Sequence, residues 1–193
     1  MVKELSNSVK ELLDKEDIRN IPEMLEMEIK KVDEGVRRTI GYNSATTIVV
    51  VLVYKNDIYI THVGDSRVYL FKEDKLERLT EDHNVANKYV QLGIITKEEA
   101  RNHPTQSVLS NSVGMMNETE DRIKITTLKP ENGMRILMCT DGLTGMLSES
   151  DIENVLMIEL NAETAVNLLI KGANTAGGTD NITAVLIDIG QIS

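Results

Sequence analysis

Aromatic residues are scarce in this chain: one Phe, five Tyr and no Trp, or 3% of the sequence. A core built without them must rest on Val, Ile, Leu and Met. Nucleic-acid platforms that stack bases need exposed aromatics and a basic field. The basic field is missing as well, because 31 Asp and Glu outnumber 21 Lys and Arg for a net charge of -10. Phosphate backbones would be repelled, so nucleic acid is not expected as a partner. Cysteine occurs once, as Cys139 inside an apolar run; it has no partner for an internal disulfide and reads as a buried thiol of a cytoplasmic protein. Long apolar runs are absent too. None approaches the about 20 residues of a membrane helix, and Met1-Val2-Lys3-Glu4-Leu5 carries mixed charge where a signal peptide would have an apolar centre. No membrane partner is expected.

What the chain does have is length and regular pattern. Its 193 residues, 41% hydrophobic and 27% charged, are enough for one domain with a substantial core. Val2, Leu5, Val9, Leu12 and Leu13 fall on one helical face. Ile21, Leu25, Ile29, Val32, Val36 and Ile40 recur at spacings of three and four. Asn20 is placed to cap the second helix, with Pro22 in its first turn and Glu23 three residues beyond the cap. Residues 1–40 therefore read as a helical hairpin.

From Thr46 the period becomes strand-like. Thr46 to Tyr54 is a β-branched run apolar on both faces, which predicts a central strand. Lys55-Asn56-Asp57 is a turn leading to a second arm over Ile58 to Val63. Arg67 to Phe71 and Leu76 to Leu79 form another pair around Glu73-Asp74. A helix is expected from about His83 to Leu92, and a short one opening at the capping box Thr96-Lys97-Glu98-Glu99. Strands at Ile123 to Leu128 and Met134 to Cys139, helices at Ser148 to Met157 and Ala162 to Asn174, and a last strand at Ile182 to Ile189 complete one α+β domain.

Two acidic residues stand out by position. Asp141 follows the apolar strand ending at Cys139 and precedes Gly142; Asp180 lies in Gly177-Gly178-Thr179-Asp180-Asn181, just before the last strand. A carboxylate at a strand end is held rigidly at the rim of a sheet, and glycine lets backbone and ligand approach closely. Hard divalent cations take such oxygen ligands. The same residues also serve as ordinary turn chemistry, and spacing alone leaves both readings open.

Read together, the segments are familiar. Val63-Gly64-Asp65-Ser66-Arg67-Val68-Tyr69 and Leu79-Thr80-Glu81-Asp82-His83, then Leu92-Gly93-Ile94-Ile95-Thr96-Lys97-Glu98-Glu99-Ala100-Arg101-Asn102-His103-Pro104, resemble the middle of type 2C, metal-dependent protein phosphatases of the bacterial kind. Cys139-Thr140-Asp141-Gly142-Leu143 and Gly178-Thr179-Asp180-Asn181-Ile182-Thr183 resemble that family's two later metal motifs. The resemblance implies an antiparallel β-sandwich flanked by helices over residues 41–193, with a flap at about 83–114. It also implies metal-dependent hydrolysis of phosphoserine or phosphothreonine in a phosphoprotein substrate. By motif, Asp141 and Asp180 would be ligands of Mn²⁺ or Mg²⁺, and Asp82 would serve a third, looser site. Asp65 would be structural, organising the turn at Ser66 and Arg67. Gly64-Asp65-Ser66 is also similar to a serine esterase nucleophile block, but His62, His83 and His103 all precede residue 104, and no C-terminal histidine partner follows.

Against the family pattern, no Asp-Gly pair precedes Asp141. The family's metal-bridging Asp and the arginine of its first strand have no counterpart, since Arg19, Arg37 and Arg38 lie in helical patterns. The fold is thus expected to be N-terminally truncated, with at most one weakly held ion and weak or no hydrolysis. The alternative is a pseudophosphatase that binds a regulatory protein. Sheet edges left uncovered would call for a homodimer or a complementing chain.

Overall fold

The computed structural model describes residues 2–14, 20–40, 45–101, 103–115 and 123–190. Met1, Arg19 and Asn102, named above, lie outside them. The chain divides into two compact units, one of Met1–Leu52, Thr61–Gly64 and His83–Thr126, the other of Val53–Ile60, Asp65–Asp82 and Thr127–Ser193.

In the first unit, α1 (Val2–Asp14) and α2 (Ile21–Ile40) form the expected helical pair. Leu5 and Val9 of α1 are buried, as are Ile21, Met24, Leu25, Ile29 and Val36 of α2. The start of α2 is fixed by Asn20, whose Oδ1 accepts from the Glu23 N–H at 3.3 Å, satisfying one orphan donor of the first turn. The segment after residue 83 contains α3 (Val85–Gln91) and α4 (Lys97–Arg101). Asn84 caps α3 by accepting from Asn87 N–H at 2.8 Å. At α4 the Thr96/Glu99 capping box closes in both directions. Backbone bonds from Val85 to Val108 and from Ser110 to His83 tie the two ends of this segment together.

Two hairpins follow the turn signals. Strands β1 (Ile48–Tyr54) and β2 (Asp57–Val63) meet at a turn in which Lys55 has φ 52°. The turn between β3 (Arg67–Lys72) and β4 (Lys75–Arg78) sets both Glu73 and Asp74 in the left-handed region, φ 52° and 59°. Positive φ at both central residues is the type I′ geometry that matches strand twist, so these two residues accept strain to close a two-residue loop. The β1 segment corrects an expectation. With β5 (Ile125–Leu128) the sheet order is β1-β2-β5, so among the described strands β2 is central and β1 lies at one end. Most of β1 is only half-buried and Val53 is 47% exposed. A β-branched apolar run reports affinity for a pleated, apolar surface; it does not count hydrogen-bonded neighbours.

The second unit holds a four-stranded antiparallel sheet, β4-β3-β6-β7, with β6 at Arg135–Cys139 and β7 at Ala184–Asp188. Its helices are α5 (Asp141–Thr144), which the sequence reading missed, α6 (Glu149–Ile158) and α7 (Ala162–Thr175). Period-two alternation sends Tyr69, Phe71, Leu137 and Cys139 to one face, where they join Leu143, Ile152, Leu156, Ala165, Leu169 and Ala173 in a single core. Ser148 and Asp151 form a reciprocal capping box at the start of α6. The far end of α6 is closed by the buried Arg135, whose Nη1 donates to the carbonyls of Leu156 and Glu159 at 2.9 and 2.7 Å. Arginine supplied by the neighbouring strand thereby satisfies orphan carbonyls at the negative end of the helix.

This packing makes a contrast that mutation can read. Leu137 is fully buried between sheet and helices, while Val185 on β7 is 47% exposed. Leu137→Ala is expected to cost about 2–5 kcal/mol in denaturant unfolding, and Val185→Ala within about 0.5 kcal/mol. Equal losses would contradict the assignment of the covered face.

Candidate functional site

Antiparallel register decides which residues share an end of the four-stranded sheet. Arg67, at the start of β3, pairs with Cys139, at the end of β6, and Cys139 pairs with Ala184, at the start of β7. Tyr69 pairs with Arg78, at the end of β4. Asp65, Asp82, Asp141 and Asp180 each lie within four residues of one of these strand ends. Positions 115 residues apart in sequence thus come to one rim, the carboxylates brought there by strand polarity alone.

The Asp141 and Asp180 loops are clamped to one another. Thr140 N–H donates to the Thr183 carbonyl at 3.1 Å. The Thr140 hydroxyl donates to the Asn181 carbonyl at 3.2 Å and accepts from Thr183 N–H at 3.1 Å. Close approach here requires Gly142, because a Cβ at that position would sit 2.3 Å from the Asn181 carbonyl oxygen. The glycine of the Asp-Gly pair is therefore a packing requirement, whatever its neighbour binds. Asp141 opens α5 and is exposed; Asp180 is also exposed, its Oδ1 accepting from Asn181 N–H at 2.6 Å. Neither forms an ion pair with a described residue.

Asp82 is differently placed. It is buried and held by Arg67 in a fork, Nε to Oδ1 at 2.9 Å and Nη2 to Oδ2 at 2.7 Å. Arg78 Nη1 stands 3.7 Å from the same carboxylate. The third donor of Arg67, Nη1, reaches the Tyr69 hydroxyl at 3.2 Å, and that hydroxyl donates to Glu149 at 3.4 Å. Burial opposes the charge on Arg67, but the Asp82 fork more than offsets it and raises the guanidinium pKa. Burial pushes the Tyr69 hydroxyl and the Cys139 thiol up to about 12 each. Cys139 is thus an inert, protonated core group, as expected from its apolar run.

Asp65 is less idle than a turn residue would be. Burial raises its carboxyl to about 6, and the charge of Asp141, then that of Asp82, adds to the effect. Mutual repulsion of this kind marks a rim that carries more negative charge than it compensates. The Arg67–Asp82–Tyr69–Glu149 chain and the role of Asp65 escaped sequence reasoning. A usable signal was there for part of it: Arg67 and Tyr69 alternate on one strand face and so share surroundings. In the first unit, His62 is buried in β2 and stacks on His83 at 4.5 Å, and His83 Nδ1 accepts from Gly64 N–H at 3.2 Å.

The acids of the rim bear on metal binding. Its donors are hard carboxylate oxygens of the right kind for Mg²⁺ or Mn²⁺. Among the described residues, however, no three His, Cys, Asp or Glu side chains converge on one point. Also among the described residues, no helix is long and apolar enough to cross a membrane.

Three comparisons place these features. The family model described as protein phosphatase 2C matches residues 3–89. The serine/threonine phosphatase stp of Listeria welshimeri is 34% identical over 143 residues, 74% of this chain and 56% of that protein. The protein phosphatase PhpP of Streptococcus pneumoniae is 31% identical over 167 residues, 86% of this chain and 67% of that one. The chain thus spans little more than half of the first relative and two thirds of the second. Among solved structures, the catalytic domain of the serine/threonine protein phosphatase PstP in complex with 2 manganese ions superposes with a TM-score of 0.73 at 26% identity, covering 98% of this chain and 82% of that one.

The pH response of Asp65 tests the electrostatics of the rim. A carboxyl raised in the folded state from 3.8 to about 6 holds its proton where the unfolded chain has lost it, so stability falls as pH rises through that window. With chelator present, Asp65→Asn should stabilise the protein at pH 7.5 by roughly 1–2 kcal/mol, after allowance for solvent screening. The gain should vanish by about pH 4. A gain that is the same at both pH values would show that the carboxyl is not perturbed.

Proposed function

Because the chain belongs to the protein phosphatase 2C family, we propose that it is a serine/threonine phosphatase domain acting on phosphoproteins. Asp141 and Asp180 are its candidate ligands for Mn²⁺ or Mg²⁺, and Asp82 a candidate for a third, looser position. The single observation that carries this reading is the Thr140 clamp, which holds the Asp141 and Asp180 loops together at one sheet end. A manganese-loaded relative with the same fold supports the choice of ion. A divalent cation bound there would supply an acidified water and charge neutralisation for a phosphoryl group. The residues of this chain would position that cation and keep the rim open to solvent.

The proposal includes a limit. No Asp-Gly pair precedes Asp141 in these 193 residues, and no third donor converges with the rim among the described residues. Two divalent ions a few ångströms apart repel strongly without a shared carboxylate between them. The chain by itself is therefore proposed to hold at most one ion, weakly, and to hydrolyse phosphomonoesters poorly or not at all. The same observations favour the second reading, a pseudophosphatase that engages a regulatory protein. We read residues 1–193 as one cytoplasmic domain. A homodimer or a complementing chain is proposed to cover β1, whose place at the end of its sheet and half-exposed apolar residues support that view.

Hydrolysis of a small aryl phosphate by the purified chain, titrated with Mn²⁺ beside Asp141→Asn, tests the reading. Turnover near background is expected, in a sample that light scattering shows to be larger than a monomer at micromolar concentration. Strong metal-dependent turnover that Asp141→Asn abolishes would overturn the proposed limit and keep the phosphatase. Strong turnover indifferent to Asp141 would overturn the site, and a clean monomer would remove the covered edge.

A further inference from the structure

The turn before β6 contains Asn132-Gly133, the one Asn-Gly pair in the sequence. Both residues are exposed. Gly133 has φ 80°, Asn132 stays out of the left-handed region, and Met134 N–H donates to the Glu131 carbonyl at 3.2 Å. This is a type II turn, with glycine where positive φ is needed. A single exposed bond closes it, so it opens locally without unpacking the core. The Gly133 N–H has no acceptor among the described residues, and no side chain stands on Gly133 to crowd it. The described pairs of Asn with Ser or Thr are placed differently. Asn7-Ser8 and Asn174-Thr175 lie in α1 and α7, where the helix fixes the backbone and engages the following N–H. Asn111 and Ser112 are buried.

We propose that Asn132 is a site of spontaneous chemical modification: in the folded chain it converts through a succinimide to aspartyl and isoaspartyl forms. The Gly133 amide nitrogen loses its proton to base in solution and bonds to Cγ of Asn132. The Cγ–Nδ2 bond breaks, and Nδ2 takes up a proton and leaves as ammonia. Water then opens the five-membered ring. Attack at the Cγ carbonyl gives the aspartyl form; attack at the main-chain carbonyl leaves the chain linked through Cγ, the isoaspartyl form. One water is consumed, one ammonia is released, and nothing is oxidised or reduced. Ring closure needs the Asn132 backbone to rotate from its type II angle, which opening of the turn permits. Contacts of the Asn132 side chain do not prevent the reaction, because hydrogen bonding to a carboxamide leaves its carbon open to attack.

The two products act differently on the fold. The aspartyl form places a new carboxylate next to Glu131, whose own carboxylate binds Lys72 at 2.6 Å, and so changes surface charge alone. The isoaspartyl form adds a main-chain methylene between Glu131 and Gly133, which the 3.2 Å turn bond cannot follow. Buried Met134 and Arg135 come directly after, and Arg135 closes the end of α6. The isoaspartyl chain is therefore the destabilised one. This turn lies before β6, at the opposite end of the strand from Asp141, and the modification is independent of the metal reading of the rim.

The test is peptide mapping by mass spectrometry of the folded full chain held in mildly alkaline buffer, with isoaspartate read by enzymatic methylation. The fragment holding Asn132 is expected to gain one mass unit and to become methylated. It should do so about tenfold faster or more than fragments holding Asn7, Asn111 or Asn174, the ratio that a barrier about 1.36 kcal/mol lower gives. Asn132→Gln allows only a six-membered ring and should lose the gain. Gly133→Ala crowds the nucleophile and should slow the gain severalfold; because φ 80° strains alanine, Asn132→Gln carries the test if that variant fails to fold. The isoaspartyl fraction, separated by chromatography, should melt below both the parent and Asn132→Asp. An unchanged Asn132 fragment, equal conversion at Asn7, Asn111 and Asn174, or a gain that survives Asn132→Gln would overturn the proposal. An isoaspartyl fraction that melts with the parent would overturn its structural consequence.

Discussion

Antiparallel pairing of three strands imposes the constraint on which the candidate site depends. With Arg67, Cys139 and Ala184 in one row, the start of β3, the end of β6 and the start of β7 must lie side by side. A register slip of one residue would turn Tyr69, Leu137 and their neighbours out of the helix-covered core, so hydrophobic burial holds the row in place. The acids just outside that row are carried along. Their positions at the rim follow from the core rather than from any attraction among them, which is why a sheet can hold like charges together at a rim.

The two ends of this sheet differ in how charge is managed. At the far end, acids meet bases: Lys72 binds Glu131 at 2.6 Å, and Arg135 Nε binds Asp188 at 2.8 Å. At the rim, one acid, Asp82, is neutralised by a fork of charge-assisted bonds, and the others face solvent or each other. Burial and the neighbouring Asp141 charge raise Asp65 to about 6. A concentration of carboxylates at one rim costs stability through their mutual repulsion. Arg67 limits it by neutralising the most buried member.

Much of this was legible in the residues. Period-three-to-four and period-two patterns located the helices and strands. Caps at Asn20 and Thr96 are chemical signals that act within four residues, so they survive without tertiary knowledge. Asp141 and Asp180 were legible because a strand followed by Asp-Gly, or an Asp just before a strand, places an acid at a rim in any sheet. The place of β1 was not, because apolar composition is silent on hydrogen-bonded neighbours. Neither was the Arg67–Asp82 pair: fifteen residues and a hairpin separate the two, and only the β3–β4 register brings them together. Arg135 was hidden for the same reason, since its partners are carbonyls at the end of a helix that begins fourteen residues later.

The central claim is that any divalent cation bound by this chain sits at the rim where β3, β6 and β7 start and end. Paramagnetic broadening of backbone amide signals by substoichiometric Mn²⁺ tests it most directly. The account predicts that signals of residues 65–67, 140–143 and 180–183 broaden first, while Lys72, Arg135 and Asp188 at the opposite end stay sharp. Broadening centred on the far end, or spread evenly over surface acids, would contradict it.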